Sequence, residues 1–568
     1  MHAFSPLSNL FHIWQGEFSA YNRQKFQQDL LAGITVAAVA LPLALAFGVA
    51  SGASAAAGVV TAILAGVLIG GFGGSSYQIS GPTGAMSAVL IVLASRYGLQ
   101  GLWLAGLMAG FLILLMGLFN LGQIVNFIPS AVIAGFTSGI AVIIFIGQID
   151  NLLGIKTEAA ENTLVKLLHY ARFNYTLNWA AVGLSLLVIF IMLFWPKGLN
   201  ARFPGSLLGL VVATVISLVL HLNVPIIGNI PQTILLDQRL IPTQIPWEHL
   251  PELVMPALSI AALGSIESLL CGTVAGRMTG VKLFSSQELI AQGLGNIVIP
   301  FFGGVPATAA IARTSVAIRS GSVTRVTSIV HSVALLLVVL VFAPIISHVP
   351  LATLAGVLAV TAWRMNEWGE IRHIFRRRFK SAMFAFTSTL IATVALDLTQ
   401  AIILGVGLSA LIFVFQSSRI QVTFSPVSVE KMRANGYEMQ YDANRILVIY
   451  IMGPLFFGTV NTFNTVLEKL NGNEDIILSL RTVPLLDTTG ISAIEDLIQH
   501  LENEGRRVYL SGLSEPVRSY LERSGIIQHL GEDRVFWSAD EAIIAADRYR
   551  FALQKGRAEK TSILAEKE

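Results

Sequence analysis

Four ionisable residues, Glu267, Glu288, Arg313 and Asp397, stand inside long apolar stretches. A charge at the centre of a membrane helix costs at least about 2.5 kcal/mol, so each needs a partner or a use. Glu288 and Asp397 fall near the ends of their stretches, where capping or snorkelling accounts for them. Glu267 lies deep within Leu263-Gly264-Ser265-Ile266-Glu267-Ser268-Leu269-Leu270-Cys271, and Arg313 follows Ala309-Ala310-Ile311-Ala312. Two apolar segments also carry the same interruption, Gln78-Ile79-Ser80-Gly81-Pro82-Thr83-Gly84-Ala85 and Gly303-Gly304-Val305-Pro306-Ala307-Thr308-Ala309-Ala310. A proline suits the first turn of a helix, and helix N-termini present unpaired N–H groups with partial positive charge. Two such ends facing each other would cradle an anion. Thr83, Gly84 and Ala85 would line it from one side, Thr308, Ala309 and Ala310 from the other. Arg313 would add attraction. Glu267 would carry the driving cation, most simply a proton, because a carboxylate in low dielectric holds a proton more tightly. Ser268 and Cys271 lie on or near the Glu267 face, and Cys271 is placed with it in the coupling site. The alternatives are ordinary kinks for the Gly/Pro breaks, a structural Glu267–Arg313 pair, and a packing role for Cys271.

These groups need a membrane to work in, and the composition supplies one. The 568 residues are 54% apolar and 12% charged, half the charge density of soluble domains. No charged residue occurs between 30 and 95. Hydrophobic segments are expected at 30–50, 55–72, 82–96, 100–120, 129–148, 178–195, 205–223, 253–272, 285–301, 306–319, 326–347, 351–364, 381–397 and 400–416. Their number, fourteen, divides as seven plus seven. An odd number per half inverts the second half relative to the first, and the Gly/Pro breaks recur at corresponding places, with Pro42 and Pro256 as a second matched pair. The fold class is therefore an α-helical polytopic membrane protein built as a 7+7 inverted repeat. Lys and Arg are concentrated in loops on one side, above all Arg364, Arg372, Arg376, Arg377, Arg378 and Lys380. That bias puts both termini in the cytoplasm of a protein of the inner (plasma) membrane.

The remainder is soluble in character. Residues 445–457, 475–486 and 507–513 are expected as buried strands, with helices at 459–471, 489–504 and 515–524, making a small α/β domain. The expected organisation is a cytoplasmic segment 1–29, a membrane body 30–418, a linker 419–436, the α/β domain 437–552 and a disordered tail 553–568. The lone cysteine, Cys271, excludes an intrachain disulfide and a Cys-rich metal site. A net charge of +3 gives no reason to expect a nucleic-acid partner. No nucleophile–base set or phosphate loop is present, so the chain is not expected to be an enzyme, and no cofactor is implied.

The same residues resemble the SulP (solute carrier 26) anion transporter family. The resemblance is carried by Gln78–Gly84, Gly135-Phe136-Thr137-Ser138-Gly139-Ile140, Glu267–Cys271, Ser286–Asn296 and Pro306–Thr314, and covers almost the whole chain. It implies core and gate domains, an elevator-like motion, half-helices facing the anion, Glu267 in the coupling site and a homodimer. It also implies that the tail is a STAS domain with possible cytoplasmic partners. In the related anti-sigma-factor antagonists the hydroxyl matching Thr488 or Thr489 is phosphorylated; here those threonines sit where a helix cap would stand. Thr308–Arg313 and Glu267–Cys271 are most similar to proton-coupled dicarboxylate members. Ser80–Gly84 and Ala40–Gly48 are similar to sodium–bicarbonate members, which carry Asp and Thr where this chain has Glu267 and Cys271. Leu43 replaces a Gln typical of sulfate permeases. The expectation is a secondary transporter of sulfate, bicarbonate or fumarate/succinate-type anions, proton-coupled. The alternatives are a sodium-coupled bicarbonate symporter, an uncoupled anion channel or exchanger, and a membrane-anchored signalling protein.

Overall fold

The computed structural model describes residues 6–122, 129–157, 163–171, 175–196, 203–244, 248, 250–396, 398–467 and 475–565. Asp397 and the end of the helix expected at 459–471 lie outside them. The chain divides into two compact units, 1–409 and 410–568.

In the first unit the helices take in the expected apolar stretches, that at 306–319 only from Ile311, and two further segments, the first and thirteenth, that were not among them. They are α1 (Pro6–Phe18), α2 (Arg23–Ala50), α3 (Ala55–Phe72), α4 (Gly84–Leu118), α5 (Ser130–Gly147), α6 (Trp179–Phe194) and α7 (Gly205–Val219). After these come α8 (Leu250–Thr279), α9 (Ser285–Val298), α10 (Ile311–Arg319), α11 (Val326–Ile346), α12 (Leu351–Met365), α13 (Trp368–Arg376), α14 (Lys380–Ala395) and α15 (Leu398–Ser417), whose last residues belong to the second unit. Helix α4 contains two expected segments, joined at Gly98, whose φ of 67° breaks the helical path. Among the described residues, α2, α3, α4, residues 130–153, α8 and α11 are each long and apolar enough to cross a bilayer, and α6, α7, α12, α14 and residues 403–417 are shorter apolar helices.

Two short strands interrupt this helical body. β1 (Ser80–Gly81) pairs antiparallel with β2 (Thr308–Ala309), Ser80 opposite Ala309 and Gly81 opposite Thr308. Each strand runs into a helix, α4 or α10. Antiparallel pairing therefore sends the two helices away in opposite directions, the geometry an inverted repeat requires.

The strands are buried, and their backbone groups need partners that lipid cannot give. Helix α9 supplies several of them. Glu288, Gln292 and Asn296 are spaced four apart and share one face. Asn296 receives the Ala307 N–H at 2.7 Å and donates to the Ala307 carbonyl at 2.9 Å. Gln292 donates to Ser80 Oγ at 3.1 Å and to Glu288 at 3.0 Å. Glu288 accepts the Gly74 N–H at 3.0 Å. Glu288 is 1% exposed, so the snorkelling expectation is corrected: it is an interior acceptor. From α3, Thr61 receives the Val305 N–H at 2.7 Å. Close approach of α4 to α9 depends on glycine, since a Cβ on Gly110 would lie 2.7 Å from the Ile297 nitrogen.

The segment before residue 30 is fastened rather than free. Asp29 accepts the Val323 and Thr324 N–H groups and the Thr324, Thr327 and Tyr21 hydroxyls. Glu17 pairs with Arg325 at 2.8 Å, and Arg325 also donates to the carbonyls of Gly71 and Gly73.

The second unit holds a five-stranded sheet in the order β3 (Gln421–Pro426), β4 (Ile446–Met452), β5 (Asp475–Thr482), β6 (Arg507–Ser511), β7 (Val535–Phe536). β3 is antiparallel to β4, and the other neighbours are parallel. Apolar runs such as Ile476-Ile477-Leu478 are buried because helices cover the faces of a parallel sheet. These helices include α16 (Val460–Leu467), α17 (Thr488–Asn503), α18 (Glu515–Arg523) and α19 (Ala539–Ala565). Two expectations are corrected here. Residues 419–436 contain β3, an edge strand whose alternating exposure lacks a continuous apolar run. Residues 553–565 continue α19 instead of being disordered.

Candidate functional site

The β1–β2 pair brings the predicted site residues together from both halves of the sequence. Thr83 is the N-cap of α4: its hydroxyl oxygen accepts the Met86 N–H. The same hydroxyl donates to Glu267 Oε2 at 3.0 Å. The first N–H groups of a helix have no intrahelical partner, so those of Gly84 and Ala85 remain at this end. Gly84 is packed against Phe47 and Ile144; a Cβ there would lie 2.5 Å from Ile144 Cδ1.

The second end differs from the expected arrangement. Thr308 and Ala309 are strand residues, and α10 begins only at Ile311 with Ala310 as N-cap and no side-chain cap. Neither proline occupies the first helical turn: Pro82 precedes the cap of α4, and Pro306 precedes β2. Both hold the chain extended before the helix, consistent with their fixed φ. The first intrahelical bond of α10 runs from the Thr314 N–H to the Ala310 carbonyl. The N–H groups of Ile311 and Ala312 thus precede it, and both residues are exposed while Ala310 is half-buried. Arg313 stands in the first turn of α10, not two turns in, because the helix starts late.

Helix α8 passes behind both ends. Thr308 Oγ1 donates to the Gly264 carbonyl at 3.0 Å and lies 2.9 Å from Ser268 Oγ. Ser268 Oγ also accepts the Ala309 N–H at 3.4 Å, and Gln78 donates to the Ser268 carbonyl. One turn of α8, from Gly264 to Ser268, thereby touches Thr83 through Glu267 and Thr308 through Ser268. Glu267 itself is half-buried.

Arg313 is 1% exposed. Its guanidinium donates to the Pro82 carbonyl, reaching from the second repeat to the chain just before α4. Among the described residues its Nη1 has no hydrogen-bond partner. Glu267 and Arg313 are not joined as a close ion pair; the carboxylate takes the Thr83 hydroxyl and the guanidinium takes the backbone. Cys271 is fully buried, and its thiol donates to Thr314 Oγ1 at 3.2 Å. Thr314 Oγ1 in turn accepts the Ile79 N–H. Cys271 is therefore set one turn behind the Thr83–Glu267 contact, where it joins three elements.

The supporting polar groups on α9 and Thr61 were not assigned to the site from sequence. Their signal was the i, i+4, i+8 row of Glu288, Gln292 and Asn296 inside an apolar stretch. His331 on α11 was also unremarked; it is fully buried, and neither ring nitrogen has a partner among the described residues. A separate cavity of about 190 Å³ is lined by Ser54, Trp103, Asn229, Asp237 and Gln238, among others, and by none of the predicted site residues.

In the second unit Asp487, not a threonine, caps α17 by accepting the Gly490 N–H at 2.7 Å. This corrects the capping expectation for Thr488 and Thr489, both of which are exposed in the first turn. The Asp487 side chain is the longer-reaching acceptor at the N-cap position, and it also takes the Phe457 N–H at 3.1 Å.

Comparison with known proteins places the chain in a family. Residues 26–389 match the sulfate permease family and residues 440–542 match the STAS domain. The YvdB protein of Bacillus subtilis, whose name proposes a sulfate transporter, is 36% identical over 540 residues, covering 93% of this chain and 99% of YvdB. The bicarbonate transporter BicA of Synechocystis is 30% identical over 540 residues, covering 92% and 94%. The transmembrane domain of a cyanobacterial BicA superposes with a TM-score of 0.61 at 31% identity, covering 67% of this chain and 98% of that domain. The overall structure of SLC26A9 shares the fold with a TM-score of 0.81 at 18% identity, over 97% and 96% of the two chains.

Proposed function

Since the chain belongs to the sulfate permease family of membrane-spanning anion transporters and ends in a STAS domain, we propose that it is a proton-coupled secondary transporter of a small oxyanion, of the sulfate, bicarbonate or dicarboxylate class. The observation that carries the reading is the meeting of α4 and α10 at the β1–β2 pair, with Glu267 bonded to the cap of one of them.

The mechanism follows from the charges. The anion lies against the N–H groups of Gly84 and Ala85 and those of Ile311 and Ala312, where two helix ends contribute partial positive charge. Arg313 supplies a full positive charge beside them; its Nη1 is buried without a hydrogen-bond partner among the described residues. Glu267 sits at the edge of the same space. While it is ionised, it opposes a second negative charge nearby; once protonated, it admits the anion. Binding of anion and proton thus favour one another, which is the thermodynamic requirement for symport. Access alternates by an elevator-like displacement of the site-bearing helices, in an inner-membrane homodimer with both termini cytoplasmic. The exposed Thr488 and Thr489 offer hydroxyls for regulation or a cytoplasmic partner.

The test is uptake into proteoliposomes of sulfate, bicarbonate and succinate at two pH values, with and without sodium, for the wild type and Glu267→Gln. Acceleration by an inward proton gradient in the wild type, lost in the variant, is expected. Proton-independent uptake in both rejects the coupling. Uptake that requires sodium instead would assign the sodium-coupled reading, whose support is the similarity to BicA.

A further inference from the structure

We infer that the segment from Trp363 to Lys380 is a binding surface for anionic phospholipid headgroups. The sequence bias toward Lys and Arg here has been used only to orient the chain, and the structure adds a shaped surface. Helix α13 is amphipathic. Ile374 is 2% exposed and anchors it, while Trp368 and Phe375 flank that anchor at 36% and 40% exposure. Trp363, at the end of α12, is 62% exposed, and Phe379, just before α14, is 46% exposed. The Trp363 and Trp368 rings lie 4.6 Å apart, and Trp368 Nε1 donates to the Trp363 carbonyl, so the two form one platform.

The charged groups alternate with these rings. Arg372, Arg376, Arg377, Arg378 and Lys380 are all exposed. None of their side chains forms an ion pair among the described residues. The nearby acids do not neutralise them: Glu370 accepts the Ser130 hydroxyl at 2.7 Å, and Glu367 is half-buried. Arg378 adopts a left-handed conformation with φ 54°. This ends α13 and turns the chain into the apolar helix α14, leaving Arg376, Arg377 and Arg378 consecutive at the bend.

Several features select lipid as the occupant. The cluster sits between two apolar helices, α12 and α14, so it lies where the hydrocarbon layer ends. Exposed indole and phenyl rings are favoured at that level, with one face against acyl chains. Guanidinium groups match phosphate oxygens in pairs. An acidic polypeptide would satisfy the charge but would leave the four rings without an apolar phase. Basic clusters adjoining a membrane helix gain attraction from each Lys or Arg.

The experiment uses full-length protein in phosphatidylcholine vesicles that contain phosphatidylglycerol. One lipid or the other carries brominated chains, and tryptophan fluorescence is read. The variant W363F/W368F isolates the contribution of these two rings. Brominated phosphatidylglycerol is expected to quench that contribution more strongly than brominated phosphatidylcholine at the same fraction. Removal of each positive charge should weaken selectivity roughly five-fold, so R376Q/R377Q/R378Q should lose on the order of 100-fold. R376K/R377K/R378K should retain most of it, which separates a charge effect from misfolding. Raised salt should reduce the preference. Soluble glycerophosphate should leave quenching unchanged; if it abolishes quenching, the surface reads free phosphate and the proposal fails. Equal quenching by the two lipids, or a preference that survives neutralisation of the three arginines, overturns it.

Discussion

The Thr83 hydroxyl bridges two demands at once: it caps α4 through the Met86 N–H and donates to Glu267 Oε2 at 3.0 Å. A change at Glu267 is thereby felt at the N-terminal end of α4 through the single hydroxyl of Thr83.

Thr83→Ala should remove both contacts. Loss of the cap costs about 1 kcal/mol of stability, and the anion KM should rise about ten-fold. Thr83→Ser keeps the hydroxyl and should restore most of the affinity. Uptake kinetics and thermal melting of the two variants in parallel check this. Equal KM values for Ala and Ser would remove Thr83 from the site.

Arg313→Lys should not substitute for arginine. The guanidinium holds the Pro82 carbonyl with one nitrogen, while Nη1 is buried without a partner among the described residues; an ammonium is a compact point charge without that planar fork. We expect Arg313→Lys and Arg313→Gln both to lower anion binding by ten-fold or more, measured by calorimetry on purified protein. Near-normal affinity in the lysine variant would show that charge alone suffices.

Asn296→Ala should destabilise the first unit by about 2 kcal/mol, because it strips two buried hydrogen bonds from Ala307. Transport should fall with the fraction folded, while the order of preference among anions stays the same. A changed order, measured by competition uptake, would place Asn296 in contact with substrate instead.

Tyr509→Phe should stabilise the second unit by about 1 kcal/mol. The Tyr509 hydroxyl is buried without a hydrogen-bond partner among the described residues. Burial, followed by the nearby Asp475 charge, pushes its phenol above the ordinary tyrosine range. A raised folded-state value means that stability is fully present below the unfolded pKa of about 10 and falls as pH rises beyond it. The wild type should therefore lose stability in alkali more steeply than Tyr509→Phe. Circular dichroism melts from pH 8 to 11 report the difference, and parallel loss in both proteins would exclude Tyr509 as the source.

The sequence was most readable where physics is local. Apolar runs bounded by Gly and Pro placed the helices of the first unit within a few residues. Alternation of apolar runs with amphipathic stretches placed β4, β5 and β6. What failed was set by tertiary pairing. The late start of α10 comes from Thr308 and Ala309 being drawn into pairing with Ser80 and Gly81, a partnership between residues more than two hundred positions apart. β3 lacks an apolar run because it is an edge strand, and Glu288 gave no sign that Gly74 would turn its N–H toward it. Within the candidate site, the meeting of the two Gly/Pro breaks, with Gly81 opposite Thr308, was legible. The hydrogen-bond partners were not, because Arg313 reaches a backbone carbonyl and Cys271 reaches Thr314 across elements distant in sequence.

The clasp between Ser80–Gly81 and Thr308–Ala309 has a mechanical corollary. Its rungs are backbone to backbone, reinforced by hydrogen bonds from α9 and α8, so the starts of α4 and α10 are riveted to each other. Parting them would strand peptide groups in oil, so in the proposed transport cycle the two would travel as one carriage.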